Sequence, residues 1–259
     1  MEGLVRIALR TARQQAPQLI QVHDRPPISR FSTKGLQEYV HQLRTRMSAT
    51  FEETINTHFP DHKIYTEALD VSEQSGYWWY VEPLCGEENF LRSIPDYCAL
   101  IGIFLNNSLQ HAAVFHYLED EEFYATKNEG AAINQSRLRV SSTSSLSRAV
   151  IAYTTQISDP KNVQFQQAMQ APVFSSRCSG CVALDLARVA QGKFDASICL
   201  GTNQLIPSIA SLLVTEAGGL ATPASKTSEF SLAGNPHVFT ALESKLSAAH
   251  REPIRTRNS

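Results

Sequence analysis

The chain has no long apolar run. Its longest, near Cys98 to Leu105, is too short to cross a bilayer. It has no strong charge of either sign: Lys and Arg number 23 against 25 Asp and Glu, a net charge of −2. That leaves no global basic field to favour nucleic acid or a membrane surface. The N-terminus lacks the charged-then-apolar order of a signal peptide, because Arg6, Arg10 and Arg13 are interleaved with Leu4, Ile7 and Leu9. Five cysteines, an odd number without regular spacing, argue against a disulfide framework and for a reducing cytoplasm. No internal repeat is visible. What remains is a globular protein of 259 residues, enough to bury a large core in one or two subdomains.

Hydrophobic spacing predicts helices over Met1–Gln21 (Leu4, Ile7, Ala8, Thr11, Ala12) and over Gln37–Phe59, the second stopped by Pro60. A Pro-containing link at Arg25-Pro26-Pro27 separates them. Strands are expected around Lys63–Thr66, Trp78–Val81, Ala99–Leu105, Gln110–Tyr117, Glu122–Thr126 and Leu138–Val140. Asn106-Asn107-Ser108 is a hairpin signal. After Val150 strands and helices alternate, as in an α/β layer. The basic, polar tail from Arg251 to Ser259 is expected to fray.

The most informative stretch is Glu82-Pro83-Leu84-Cys85-Gly86-Glu87-Glu88-Asn89-Phe90. A short aromatic strand, Trp78 to Glu82, is expected to end at Pro83, with Gly86 allowing a tight turn. A strand ending in carboxylates beside a glycine turn is where α/β enzymes place catalytic metals. Such a turn opening a helix would present free N–H groups to an anion, yet two glutamates occupy that opening.

This loop resembles that of the inositol monophosphatase family, which reads Asp-Pro-(Leu/Ile)-Asp-Gly-Thr-Thr-Asn-Phe. The resemblance covers nearly the whole chain and is nearest to the bacterial branch. Further matching stretches are Glu121–Thr126, Gly130–Asn134, Arg137–Ser141, Ala183–Gly192 and Glu216–Gly219. It implies one domain over residues 1–259 with an α/β fold, a layered αβαβα sandwich shared with fructose-1,6-bisphosphatases. Residues 1–150 would form an α+β half with an antiparallel sheet, residues 151–250 an α/β half, and residues 251–259 the tail.

The family's chemistry needs carboxylates around two or three Mg²⁺ ions, which activate water and neutralise phosphate. On the family pattern Glu67 is a retained ligand, with Ala68 beside it in place of a second Glu. Glu82 keeps a carboxylate with one extra methylene, and Leu84 offers only its backbone carbonyl. Cys85 puts a soft sulfur where a bridging Asp belongs. Arg44 falls on a metal-binding Asp, and Lys34 near a family lysine. Glu87 replaces a Thr that helps hold the attacking water, and Glu88 the next Thr. Ile206 stands for an Asp that binds metal and orients substrate. With Pro207 read as the first helical residue, Ile206 would be a poor N-cap, and Ile206, Ile209, Ala210 and Leu213 form an apolar stripe. Cys199 falls where many members carry a sugar-contacting Glu.

The catalytic positions Glu67, Glu82, Cys85 and Glu87 are therefore expected to be vestigial. So are the metal positions Glu67, Glu82 and Leu84, with ligands lost at Arg44, Cys85 and Ile206. The substrate positions Gly86, Glu87, Glu88 and Cys199 belong with them. The losses predict a chain that does not catalyse the family reaction, needs no cofactor and acts through protein contacts. The resemblance implies a homodimer or a heterodimer with a family paralogue. By analogy it implies contact with the transcription or ribosomal RNA synthesis machinery, without direct nucleic-acid binding. The alternative is a Mg²⁺-dependent phosphatase on inositol monophosphate or a related ester, with a rewired metal site. A third reading is a pocket for a cationic or neutral small ligand.

Other features have a bland reading beside a functional one. Cys178-Ser179-Gly180-Cys181, just before a helix, reads as a redox pair or, more simply, as small buried residues. Glu67, Glu82, Cys85 and Cys199 together could hold Zn²⁺. His111, His116 and His237 lack ligand spacing and read as packed or surface residues. Glu119-Asp120-Glu121-Glu122 reads as a solvated hairpin tip, and Arg251, Arg255 and Arg257 as a solvated tail.

Overall fold

A computed structural model describes residues 3–23, 32–66, 75–155, 173–201, 204–222 and 230–251. Helix α1 spans Gly3–His23 and α2 spans Thr33–His58. Ser32 caps α2, its hydroxyl accepting from the Gly35 amide at 3.3 Å, so the helix starts four residues before its apolar pattern suggests. Strands β1 (Lys63–Tyr65), β2 (Tyr77–Cys85), β3 (Cys98–Leu105), β4 (Ser108–His116), β5 (Glu121–Thr126), β6 (Gly130–Ile133) and β7 (Ser136–Arg137) form one sheet in chain order. All its pairs are antiparallel except β1 with β2. The turn between β3 and β4 holds Asn106 and Asn107 at φ 48° and 64°, as the hairpin signal requires. A five-residue helix, α3 (Glu87–Leu91), follows β2.

The second sheet has the order β11-β12-β10-β8-β9. Its strands are β8 (Val150–Thr155), β9 (Ser175–Arg177), β10 (Ala196–Leu200), β11 (Leu220–Ala221) and β12 (Phe230–Gly234). Helices α4 (Val182–Ala190), α5 (Leu205–Glu216) and α6 (Pro236–Arg251) complete the described chain.

Alternation along the strands sends side chains to opposite faces and so fixes the layers. Trp79, Val81, Ile101, Ile103, Ala113 and Phe115 pack against Val5, Leu9, Leu19, Leu43, Met47 and Phe51 of α1 and α2. Trp78, Tyr80, Leu100, Val114 and Phe123 face Leu184, Leu186, Ile209 and Leu213 of α4 and α5. Ile151, Ile198 and Leu232 of the second sheet meet Val238, Leu242 and Leu246 of α6. The order is α1/α2, first sheet, α4/α5, second sheet, α6: the expected αβαβα sandwich.

Local expectations need correction in three places. Pro83 does not end β2; the strand runs on to Cys85, with its pairing to β3 shifted between Glu82 and Cys85. A proline cannot donate to the ladder, so the strand bulges instead of stopping. Leu138–Val140 is not a strand, although the Leu138 and Val140 amides still reach the Ala131 and Ala217 carbonyls. Helix α5 begins at Leu205, with the Ser208 amide bonded to the Gln204 carbonyl at 3.0 Å. Gln204 is therefore the cap, Ile206 the second helical residue and Pro207 the third, where a missing N–H is still harmless. The acidic hairpin tip is solvated as expected, Glu119 and Asp120 being exposed, and Arg13 reaches Asp120 at 2.8 Å and Glu122 at 2.7 Å across that surface.

A candidate site closed by an internal ion pair

The bulge in β2 positions the site. Its freed backbone groups are met by side chains: the Tyr117 hydroxyl donates to the Pro83 carbonyl at 2.7 Å, and the Leu84 amide donates to Glu82 Oε1 at 3.3 Å. Gly86 then turns the chain at φ 82° and opens α3. Asn89 pins that short helix, its amide donating to the Asp96 carbonyl at 2.8 Å and the Ser179 carbonyl at 2.7 Å. The loop is thus held from the segment just before β3 and from the turn before α4.

Glu82 is buried, and its second oxygen faces α2. Arg44 Nη2 donates to Glu82 Oε2 at 2.8 Å, and Arg44 Nη1 lies 3.6 Å from Glu87 Oε2. A fixed guanidinium therefore stands between the carboxylates of β2 and α3. Burial works to lower the Arg44 pKa, but Glu82 and Glu87 outweigh it and the net shift is upward. Burial pushes the Glu87 carboxyl up against the opposing pull of Arg44, with Glu88 and Glu82 adding to the rise. Glu88 points away and pairs with Arg92 at 3.3 Å.

Below the loop lies sulfur and hydrocarbon. Cys85 is buried opposite Cys98 in the strand register. The neighbouring Cys98 thiol favours the thiolate, but burial and Glu82 prevail and push the thiol up to about 11. Ile206 is half-buried and packs on the cluster that contains Cys85, Ile209, Ala210 and Leu213. Leu84 is buried with α1 and α2. Cys199 lies in β10, between Thr154 and Ser231 in register; burial and the Asp185 carboxylate push its thiol up to about 11. Among the described residues no hydrogen bond or ion pair joins Cys199 to Glu82 or Cys85.

Lys34 is exposed on the first turn of α2. Glu67 and Ala68 lie outside the described residues, so the Zn²⁺ grouping is described only for Glu82, Cys85 and Cys199. Among the described residues no group of three or more His, Cys, Asp or Glu could hold a metal ion. Cys178 and Cys181 are not joined: Cys178 is exposed and donates to the Tyr153 carbonyl at 3.2 Å, while Cys181 is buried beside Cys98. His111 and His116 are buried, with partners in Thr126 and the Pro95 carbonyl, and His237 is exposed on α6.

Two groups near the site escaped notice in the sequence. Cys98 sat unnoticed inside an apolar strand, and only the β2–β3 register brings it to Cys85. Asp185 is fully buried in α4, and among the described residues its carboxylate oxygens lack a hydrogen-bond partner. The nearby Ser179 hydroxyl accepts from the Cys181 amide at 3.0 Å, and Arg188 stands 3.9 Å away.

A model of the inositol monophosphatase family matches residues 1–256. The chain belongs to that family. It is 31% identical over 257 residues to the Nus factor SuhB of Pseudomonas aeruginosa, covering 93% of this chain and 95% of that one. It is 30% identical over 226 residues to the protein of the same name from Haemophilus influenzae, covering 85% of each. In three dimensions it is similar to the extragenic suppressor protein suhB of Bartonella henselae, with TM-score 0.81, 24% identity and coverage of 95% of this chain and 100% of that one. It is also similar to an IMPase of Thermotoga maritima, with TM-score 0.80, 21% identity and coverage of 96% and 98%. The family's shared fold thus carries a loop whose carboxylates are paired with an arginine. Among the described residues no helix is long and apolar enough to cross a membrane.

Proposed function

We propose that this chain is a family member that no longer hydrolyses phosphate esters and acts through protein contacts. The observation that carries the reading is Arg44, which takes both Glu82 and Glu87 as partners. Bringing a divalent ion within about 4 Å of that guanidinium would cost several kcal/mol of repulsion even at an effective dielectric near 20. The remaining donors do not offset this cost. Cys85 is a buried soft thiol, and Ile206 offers no oxygen. On this reading the described residues do not fit Mg²⁺.

Relatives carrying the name Nus factor support a role beside the transcription apparatus. On this reading the chain is cytoplasmic. It works as a homodimer or as a heterodimer with a catalytically competent paralogue, and its partners are proteins. Calorimetric titration with Mg²⁺ and Mn²⁺, alongside phosphate release from inositol 1-phosphate, tests the central point. No heat up to millimolar metal and no turnover is the expected result. Saturable binding with turnover would mean that Glu82, Glu87 or Glu88 has rebuilt the site, and the rewired-phosphatase reading would replace this one.

A further inference from the structure

Three thiols from three elements converge beneath the Gly86 turn: Cys85 at the end of β2, Cys98 at the start of β3 and Cys181 at the N-terminus of α4. Cys98 is the central one, opposite Cys85 in the β2–β3 register and hydrogen-bonded to Cys181. Its sulfur lies 3.7 Å from that of Cys181. The packing leaves little slack, since a Cβ on Gly86 would meet the Cys181 Cβ at 3.2 Å.

We propose that Cys98 and Cys181 are an oxidation site, closed to a disulfide by a small hydroperoxide such as hydrogen peroxide. This inference is independent of whether the chain hydrolyses anything. A disulfide needs its sulfurs about 2 Å apart, so the pair must close by less than 2 Å, within the reach of side-chain rotation. No strand has to leave its register.

Access comes from the turn before α4. Arg177, Cys178 and Gly180 are exposed there, and Gly180 turns at φ 80°. Such turns open locally at a small fraction of the global unfolding cost. Opening bares Cys181, whereas Cys98 stays within the sheet. The Cys181 sulfur, as thiolate, attacks one peroxide oxygen. The O–O bond breaks, one water leaves and Cys181 becomes a sulfenic acid. When the turn recloses, the Cys98 sulfur attacks the sulfenic sulfur. The S–O bond breaks, and its oxygen leaves as a second water carrying the Cys98 proton. The two thiols lose two electrons and the peroxide gains them. The bridge staples the first sheet to α4 beside the Glu82 loop, between residues 83 apart in sequence.

The full chain is treated with hydrogen peroxide, trapped with an alkylating agent under denaturing conditions and mapped by peptide mass spectrometry. The expected result is a Cys98–Cys181 cross-linked peptide, reversed by dithiothreitol, with Tm raised by about 5–10 °C. The bridge should also form in Cys178→Ser. It should be lost in Cys181→Ser, and the wild-type map stands alone should that variant fold poorly. Recovery of both residues as alkylated thiols after peroxide would overturn the proposal, as would a bridge joining Cys178 to Cys181 or Cys85 to Cys98.

Discussion

Arg44 donates to Glu82 across 2.8 Å, joining the middle of α2 to the bulged end of β2. The pair is asymmetric: the Glu82 side chain is 8% exposed and that of Arg44 31%. The carboxylate has the most to lose, since among the described residues its other oxygen has only the Leu84 amide.

Arg44→Met keeps the packing of the stem and removes the charge. The Glu82 carboxylate is then left buried without its cation, a loss of about 2–3 kcal/mol after allowing for the partial exposure of Arg44. Tm should fall by roughly 5–10 °C. The double variant Arg44→Met, Glu82→Gln should recover part of that loss, and a thermal double-mutant cycle measures the coupling. A single variant that melts within a degree of the wild type would deny the pair a structural role.

Asp185 gives a pH test. Burial, opposed by Ser179 and Arg188, pushes its carboxyl from 3.8 up to about 6. A carboxyl raised in the folded state binds more protons folded than unfolded. Its contribution is therefore favourable in acid and is lost as pH rises from about 4 through 6. Above pH 7 the ionised group is a liability of up to about 3 kcal/mol. Asp185→Asn should thus raise the urea midpoint at pH 7.5, and the gain should shrink towards pH 4. A gain that grows in acid would reverse the assignment.

The layers were legible in the sequence because spacing and family motifs agree on them. Val81 and Ile101 face one way, Trp78 and Leu100 the other, as period two demands. The Arg44 position could be read as a lost ligand, but not as a new partner for Glu82 and Glu87. That required knowing how α2 lies against β2, a tertiary fact that no local spacing encodes. The bulge at Pro83 was missed because a proline reads locally as a stop. Only the pairing with β3 and the Tyr117 hydroxyl bond show the chain continuing past it. Cys98 was hidden for the same reason: its partners come from strand register and from α4.

His62 offers a second pH effect of opposite sign. Its ring is stacked on Phe59 and Tyr77, with centroids 4.9 and 4.8 Å away, and its Nδ1 accepts from Trp79 Nε1 at 2.9 Å. Burial lowers its pKa from 6.5, against a weaker upward pull from Asp61. Protonation would remove the acceptor that Trp79 uses. The unfolded chain therefore binds more protons below pH 6.5, and stability contributed here falls as pH drops from 6.5 through the folded value. Denaturant midpoints of wild type and His62→Phe, compared at pH 7.5 and 5, should show a steeper loss in the wild type. Parallel profiles would remove His62 from the account.

Gly86 is the position where the loop tolerates least. It sits at φ 82°, where a side chain is strained, and a Cβ there would stand 2.4 Å from the Asp96 carbonyl oxygen. That oxygen cannot simply retreat, because it accepts the Asn89 amide that pins α3. Gly86→Ala must therefore shift the Asp96–Tyr97 backbone or open the turn. Either path disturbs Cys98 and the Glu82–Arg44 pair on its flanks. The cost should exceed about 3 kcal/mol, seen as a Tm drop of roughly 10 °C or more or as loss of soluble protein. Gly76→Ala is the matched control. Gly76 turns at φ 78° with nothing within 4 Å of its Cβ position, so it reports backbone strain without the clash and should cost only about 1 kcal/mol. Equal losses in the two variants would show that strain alone, and not the contact with Asp96, holds position 86 to glycine.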